Sequence, residues 1–174
     1  MGRVVAALSR TANEIIVVTA PHQVLPAMPQ GIKVVEDLVG GLGPVGGLYT
    51  GLQAMLGECA CVVACDMPFL DSALVALLIS LIQGHDAVVP CVAGRLQSLH
   101  AAYSRSCLPA LRELLKQDNV SLRDLLAHLD VRYLKEGDLE DSGRWLRSSF
   151  NINTQEDLEL AMSWLASTKW QRGL

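Results

Sequence analysis

The sequence predicts an α/β fold built on a mainly parallel sheet. Three observations carry this. Short runs of β-branched and apolar residues alternate with helix-length segments along the chain. The run at residues 61–64 is apolar without alternation, as in a strand covered on both faces. Two such runs end directly on a carboxylate, Asp37 and Asp66. In open α/β sheets that is where the ligand crevice lies, outside the carboxyl ends of the strands.

The elements follow in order. Residues 2–12 carry apolar side chains at 4, 5 and 8, with Arg3 and Arg10 off that face, and read as a short helix. Residues 14–19 are a β-branched strand. Residues 20–31 hold three prolines and form a loop, and residues 32–36 are a second strand that leads into Asp37. Residues 38–47 are rich in glycine, with Pro44 suited to the first turn of a helix over 45–56. Glycines there permit tight turns and close backbone approach, and a helix start offers free N–H groups to an anion. An ordinary Gly-rich connection reads the same way. The segment matches neither a Walker A loop nor GxGxxG.

Residues 61–64 lead into Asp66, and Pro68 stops further pairing. A lone Asp at a strand's carboxyl end suits Mg²⁺ beside nucleotide phosphates. It equally suits a cap for the helix that starts near Asp71 or Ser72 and runs to Gln83, with Gly84 as its stop. Residues 86–92 form another buried strand, with Pro90 marking an edge or an irregularity. After a turn at 93–95, residues 96–103 return as a strand, and Arg95, Gln97 and His100 form a polar patch. His100 fits a structural role as well as a functional one. Ser106 caps a helix through Lys116, and Ser121 with Asp124 is a capping box. Residues 131–134 are a strand, and residues 135–147 are charged and irregular. Thr154 with Asp157 is another capping box, opening a last helix over 155–166 that Trp164 packs onto the body. Asn151 and Asn153 before it also fit turn formation by their amides.

At 174 residues the chain is most simply one domain, residues 1–174, large enough for a real core. Half its residues are hydrophobic, 51%, and 18% are charged, which excludes disorder. A net charge of −4 leaves no basic surplus for general nucleic-acid binding. No apolar run reaches a membrane span and no signal peptide opens the chain, so a cytoplasmic soluble protein is expected. Of the five cysteines, Cys59, Cys61 and Cys65 fall at period two on one strand face. That spreads their sulfurs instead of converging them on a metal. Free thiols in a reducing compartment are the expectation. No oligomeric state is specified, and a monomer is the simplest reading.

The ordered set of motifs resembles the molybdenum cofactor guanylyltransferases. It comprises Val35-Glu36-Asp37, Gly43 to Leu48, Cys65-Asp66-Met67-Pro68-Phe69, Arg95 to Ala101, Ser121-Leu122-Arg123 and Asn151 to Leu158. The resemblance implies a three-layer α/β/α Rossmann-like nucleotidyltransferase fold. It implies transfer of GMP from GTP to molybdopterin, with pyrophosphate released. Asp66 would hold the catalytic Mg²⁺. Asp37, Gly43, Pro44 and Gly46 would help hold the nucleotide. Arg95, His100, Asn151 and Asn153 would lie toward the pterin. Ser98 stands where the family often has Pro.

The resemblance also implies an absence. The family opens with a strand and a Gly-rich loop bearing Arg and Lys, whereas this chain opens in what looks like the helix after them. Without that loop, little or no transferase activity is expected. The strand would lie between the strands at Ile15 and Val62, and unpaired inner edges are costly to bury, so those two close up, another chain fills the slot, or the natural chain carries residues missing here. Three readings follow: a guanylyltransferase whose natural chain is longer, a relative that uses CTP, or a non-catalytic remnant that binds pterin or a protein.

Overall fold

A computed structural model describes residues 1–139 and 141–166. The one-domain expectation for residues 1–174 thus includes residues 140 and 167–174, which lie outside the described ones. In order, the elements are α1 (Gly2–Leu8), β1 (Ile15–Thr19), β2 (Ile32–Glu36), α2 (Gly43–Ala54), β3 (Cys59–Val63), α3 (Ser72–Ser80), β4 (Ala87–Val92), β5 (Arg95–Leu96) and β6 (His100–Ser104). There follow α4 (Leu108–Leu114), α5 (Leu122–Leu126), β7 (Val131–Leu134), α6 (Ser142–Ser148) and α7 (Gln155–Ala166).

The larger sheet has the order β3-β6-β4-β5, with β7 pairing β4 on its other side. β4 and β7 are parallel, and β6 is antiparallel to both β3 and β4. Thus β3, β4 and β7 share one direction, and β6 runs against them. The sheet is a sandwich filling. Ala87, Val89, Ala101 and Tyr103 face α2, α4 and α5 through Leu48, Leu52, Leu111 and Leu125. Val88, Val92 and Ala102 face α3 and α6 through Leu78 and Trp145. The period-two alternation of side chains on β4 and β6 is what feeds both layers.

β1 and β2 form a separate parallel pair. β1 pairs β2 alone and β3 pairs β6 alone, among the described residues. The two sheets start from the same end, because the Leu56 N–H donates to the Glu14 carboxylate at 2.9 Å. Helix α2 packs on β1, β2 and β3 and so spans the gap. β1 and β3 have not closed up. They flank a cleft of about 970 Å³.

Several local expectations change. Residues 96–103 are not one strand, since a turn at residues 97–99 divides β5 from β6. The Gln97 N–H bonds Pro90 and the His100 N–H bonds Gln97, while the Tyr103 hydroxyl donates to Ser98. Residues 135–147 are not all irregular. Asp141 caps α6 by accepting from the Arg144 N–H, and Trp145 anchors that helix at 2% exposure. One apolar anchor in seven residues gives too little periodicity to read. Ser106 does not cap α4, and its hydroxyl donates to Asp86 instead. Ser104 makes the capping contact, to the turn at residues 105–107. Cys65 lies past the end of β3 and is exposed, so the three cysteines do not share a strand face. Both capping boxes form as read, Ser121 with Asp124 and Thr154 with Asp157.

Candidate active site

Shared strand directions bring the chemistry to one edge. Asp66 follows β3, Arg95 opens β5 opposite Val92 at the end of β4, and His100 opens the antiparallel β6 opposite Val63. Asp37 follows β2, and its N–H donates to the Thr19 carbonyl at 2.7 Å. Thr19, Gln23, Pro44, Gly47, Ala64 and Asp66 line one end of the cleft between the sheets. The start of α2 and the end of β3 therefore face a common space.

Asp66 has an unusual balance. Its main-chain carbonyl accepts from the Ile152 N–H at 3.1 Å. Its Oδ1 is buried and no donor reaches it among the described residues. A buried carboxylate oxygen without a donor is costly, and a bound cation would relieve that cost. The helix-cap alternative is not realised, because Asp71 caps α3 through the Ala73 N–H. Among the described residues no group of three or more His, Cys, Asp or Glu could hold a metal. A cation at Asp66 would take its remaining ligands from substrate phosphates and water, which is the habit of Mg²⁺. A single hard carboxylate oxygen is compatible with a divalent cation of that kind.

Asp37 is tied inward. Its Oδ1 accepts from the Val39 N–H at 3.1 Å and from the Thr50 hydroxyl at 2.8 Å. Thr50 Oγ1 in turn accepts from the Leu38 N–H at 3.0 Å. A Cβ on Gly46 would meet Asp37 Oδ2 at 2.9 Å and the Val39 carbonyl at 2.8 Å, so glycine is required for this packing. Gly43 opens α2 at φ +53, in the left-handed region that glycine reaches without penalty. Asp37 and Gly46 thus shape the Gly-rich segment, while Pro44 faces the cleft.

The pterin-side candidates divide as well. Arg95 and Asn153 are exposed and Asn151 is half-buried. His100 is 1% exposed, with Nδ1 3.0 Å from Ser149 Oγ, and stands behind the site. Burial pushes its pKa down to about 4. Sequence reasoning missed Thr50, Arg3 and Ile152. Thr50 is a polar residue on the buried face of α2, which is a legible signal. The Arg3 Nε donates to the Pro68 carbonyl at 3.0 Å and fastens α1 beside the Asp66 loop. Ile152 acts through its backbone, which no side-chain pattern reveals.

Residues 1–133 match the family model described as the MobA-like NTP transferase domain. The chain belongs to this family. It is 37% identical over 153 residues to a protein of Thermococcus gammatolerans named a probable molybdenum cofactor guanylyltransferase, covering 86% of this chain and 77% of that one. A protein of the same name from Pelotomaculum thermopropionicum is 36% identical over 129 residues, covering 74% of this chain. The match spans 62% of that relative's length. Among solved structures, molybdopterin-guanine dinucleotide biosynthesis protein A from Archaeoglobus fulgidus superposes with a TM-score of 0.68 at 28% identity. That superposition covers 77% of this chain and 68% of the other. The fold of this MobA-like chain is thus the Rossmann-like fold of nucleotidyltransferases. No helix among the described residues is long and apolar enough to cross a membrane.

Proposed function

We propose that this MobA-like protein transfers GMP from GTP to molybdopterin, with pyrophosphate leaving and Mg²⁺ held at Asp66. The observation that carries the reading is the buried Asp66 Oδ1 at the carboxyl end of β3, which no donor reaches among the described residues. The names borne by its relatives point the same way.

The terminal phosphate oxygen of molybdopterin forms a bond to the α-phosphorus of GTP, and the bond from that phosphorus to the bridging oxygen of pyrophosphate breaks. Mg²⁺, when bound, offsets charge on the transferring group. The protein's own part is positioning. The start of α2, with Gly43 and Pro44, takes the nucleotide side, and Asp37 and Gly46 hold that segment in shape. Arg95, Asn151 and Asn153 take the pterin side, with His100 behind them. Five free cysteines suit a reducing cytoplasm.

Among the described residues that line the cleft beside Asp66 there is no Lys or Arg. A triphosphate needs more cationic partners than one metal ion. Slow turnover is therefore expected, and binding is the sensitive readout. Calorimetric titration with GTP and CTP, with and without Mg²⁺, tests the reading. Expected is binding that needs Mg²⁺, favours GTP and is lost in Asp66→Ala. Binding indifferent to both Mg²⁺ and Asp66→Ala would remove the metal assignment. A preference for CTP would make the protein a cytidylyltransferase, and pterin binding without nucleotide binding would make it non-catalytic.

A further inference from the structure

His100 joins two parts of the site that are far apart in sequence. It sits opposite Val63 in the β3–β6 pairing, and the adjacent Ala64 N–H donates to the Leu99 carbonyl at 3.1 Å. It is therefore fixed to the strand that delivers Asp66. Its ring reaches the end of α6, with Nδ1 3.0 Å from Ser149 Oγ and Nε2 3.5 Å from Ser148 Oγ. Trp145 packs across the ring at a centroid distance of 5.6 Å. Ser148 Oγ also accepts from the Asp71 N–H at 3.0 Å, so its own proton is free to point at Nε2. The pairing that satisfies every group has Ser148 donating to Nε2 and the Nδ1 proton donated to Ser149. That is a neutral ring with both nitrogens used.

The chain then runs from Ser149 straight into Asn151, Ile152 and Asn153, and the Ile152 N–H bonds the Asp66 carbonyl. On the opposite side, Phe150 packs near Phe69 at 6.2 Å. The segment at 151–153 is thus held from its amino end by His100 and at its middle by Asp66. We propose that His100 is a positioning residue for the phosphorylated acceptor: it clamps Ser148 and Ser149 and so fixes Asn151 and Asn153 at their distance from Asp66, without itself touching substrate. The inference rests on the reading above, in which Asn151 and Asn153 face the acceptor.

The test compares His100→Leu, which removes both ring contacts, with His100→Asn, whose amide can still donate to Ser149, and with Ser149→Ala. Two quantities are read: hydrogen exchange at the Ile152 amide, and affinity for molybdopterin set against affinity for Mg²⁺-GTP. His100→Leu and Ser149→Ala are expected to speed Ile152 exchange and weaken molybdopterin roughly tenfold, the scale of one hydrogen bond. GTP affinity stays at the wild-type value, and His100→Asn recovers most of both losses. Leu125→Ala, a core change in α5, should leave the ratio of the two affinities unmoved. Should His100→Leu fail to fold, Ser149→Ala decides alone. Unchanged Ile152 exchange in Ser149→Ala overturns the clamp. Faster Ile152 exchange with unaltered molybdopterin affinity overturns its role toward the acceptor. Absence of GTP binding by the wild-type protein counts against the proposed transferase instead, and the Ile152 measurement still judges the clamp.

Discussion

The backbone N–H of Ile152 donates to the backbone carbonyl of Asp66 across 3.1 Å, leaving the Asp66 side chain out of the contact. Main chain and side chain at this residue therefore do separate work. The main chain secures the segment at 151–153, and the carboxylate bears the cost of a buried oxygen that no donor reaches among the described residues. Asp66→Asn should keep the first and relieve the second. We expect melting in the absence of metal at or above the wild-type temperature, by up to about 1 kcal/mol of stability. Mg²⁺-dependent GTP binding should fall by roughly 10²-fold or more. Differential scanning calorimetry with and without Mg²⁺ and GTP reads both. A variant that is markedly less stable without metal would show that the carboxylate has a protein partner after all.

The Gly-rich segment offers a paired comparison on one helix. At Gly46 an added methyl would strike Asp37 and the Val39 carbonyl below 3.0 Å, whereas at Gly47 it meets nothing within 4 Å. Gly46→Ala should cost about 1–3 kcal/mol through overpacking. Gly47→Ala should be neutral or stabilise by up to about 1 kcal/mol through helix propensity. Urea denaturation of the two variants checks this. Equal effects would mean that Asp37 does not pack against Gly46 in solution.

The contrast between those two glycines also shows what the sequence could reveal. Gly43 to Gly47 stood out as a segment shaped for close approach, and Asp37 and Asp66 stood out because carboxylates at strand ends are easy to see. Which glycine makes room, and for what, depends on where Thr50 directs the Asp37 carboxylate, and that is a tertiary fact. The antiparallel β6 was hidden for a similar reason. Residues 96–103 show continuous strand-like composition, and only the bonds at Pro90, Gln97 and Ser98 divide them. His100 was visible as a polar group within an apolar run, yet its burial against Trp145 required α6. That helix has one buried apolar anchor and was unreadable by period.

His100 sets a pH dependence of stability. Burial lowers its pKa from the ordinary 6.5 to about 4, with the Asp71 charge pulling the other way. The unfolded chain takes up a proton near the ordinary value and the folded chain does not. The contribution is therefore complete above 6.5 and is lost as pH falls from 6.5 to about 4, by an amount on the order of 3 kcal/mol. Asp71 acts lower down. Its burial is outweighed by the Arg144 and Ala73 hydrogen bonds, so its contribution is lost as pH falls below the ordinary carboxylate value of 3.8. Urea denaturation across the upper interval should show a slope that disappears in His100→Asn. A level profile in the wild-type protein would mean that the imidazole is solvated.

The separation of the two sheets predicts uneven protection of the strands. β4 is paired on one side by β6 and on the other by β7, so its amides at Ala87 and Val88 sit inside a continuous ladder. β1 and β3 are each paired on one side, and Val17 and Val62 line the 970 Å³ cleft between them. In both strands the amides that point toward the cleft have no ladder partner among the described residues. They should exchange with solvent deuterons roughly 10²-fold faster than those of β4. The amides of the same two strands that point toward β2 and β6 should be slow, giving an alternating pattern along each strand. Residue-resolved hydrogen exchange distinguishes this from general softness, which would leave neighbouring amides alike. Uniformly slow exchange along β1 and β3 would mean that their facing edges are paired in solution, and the cleft between them would then be closed.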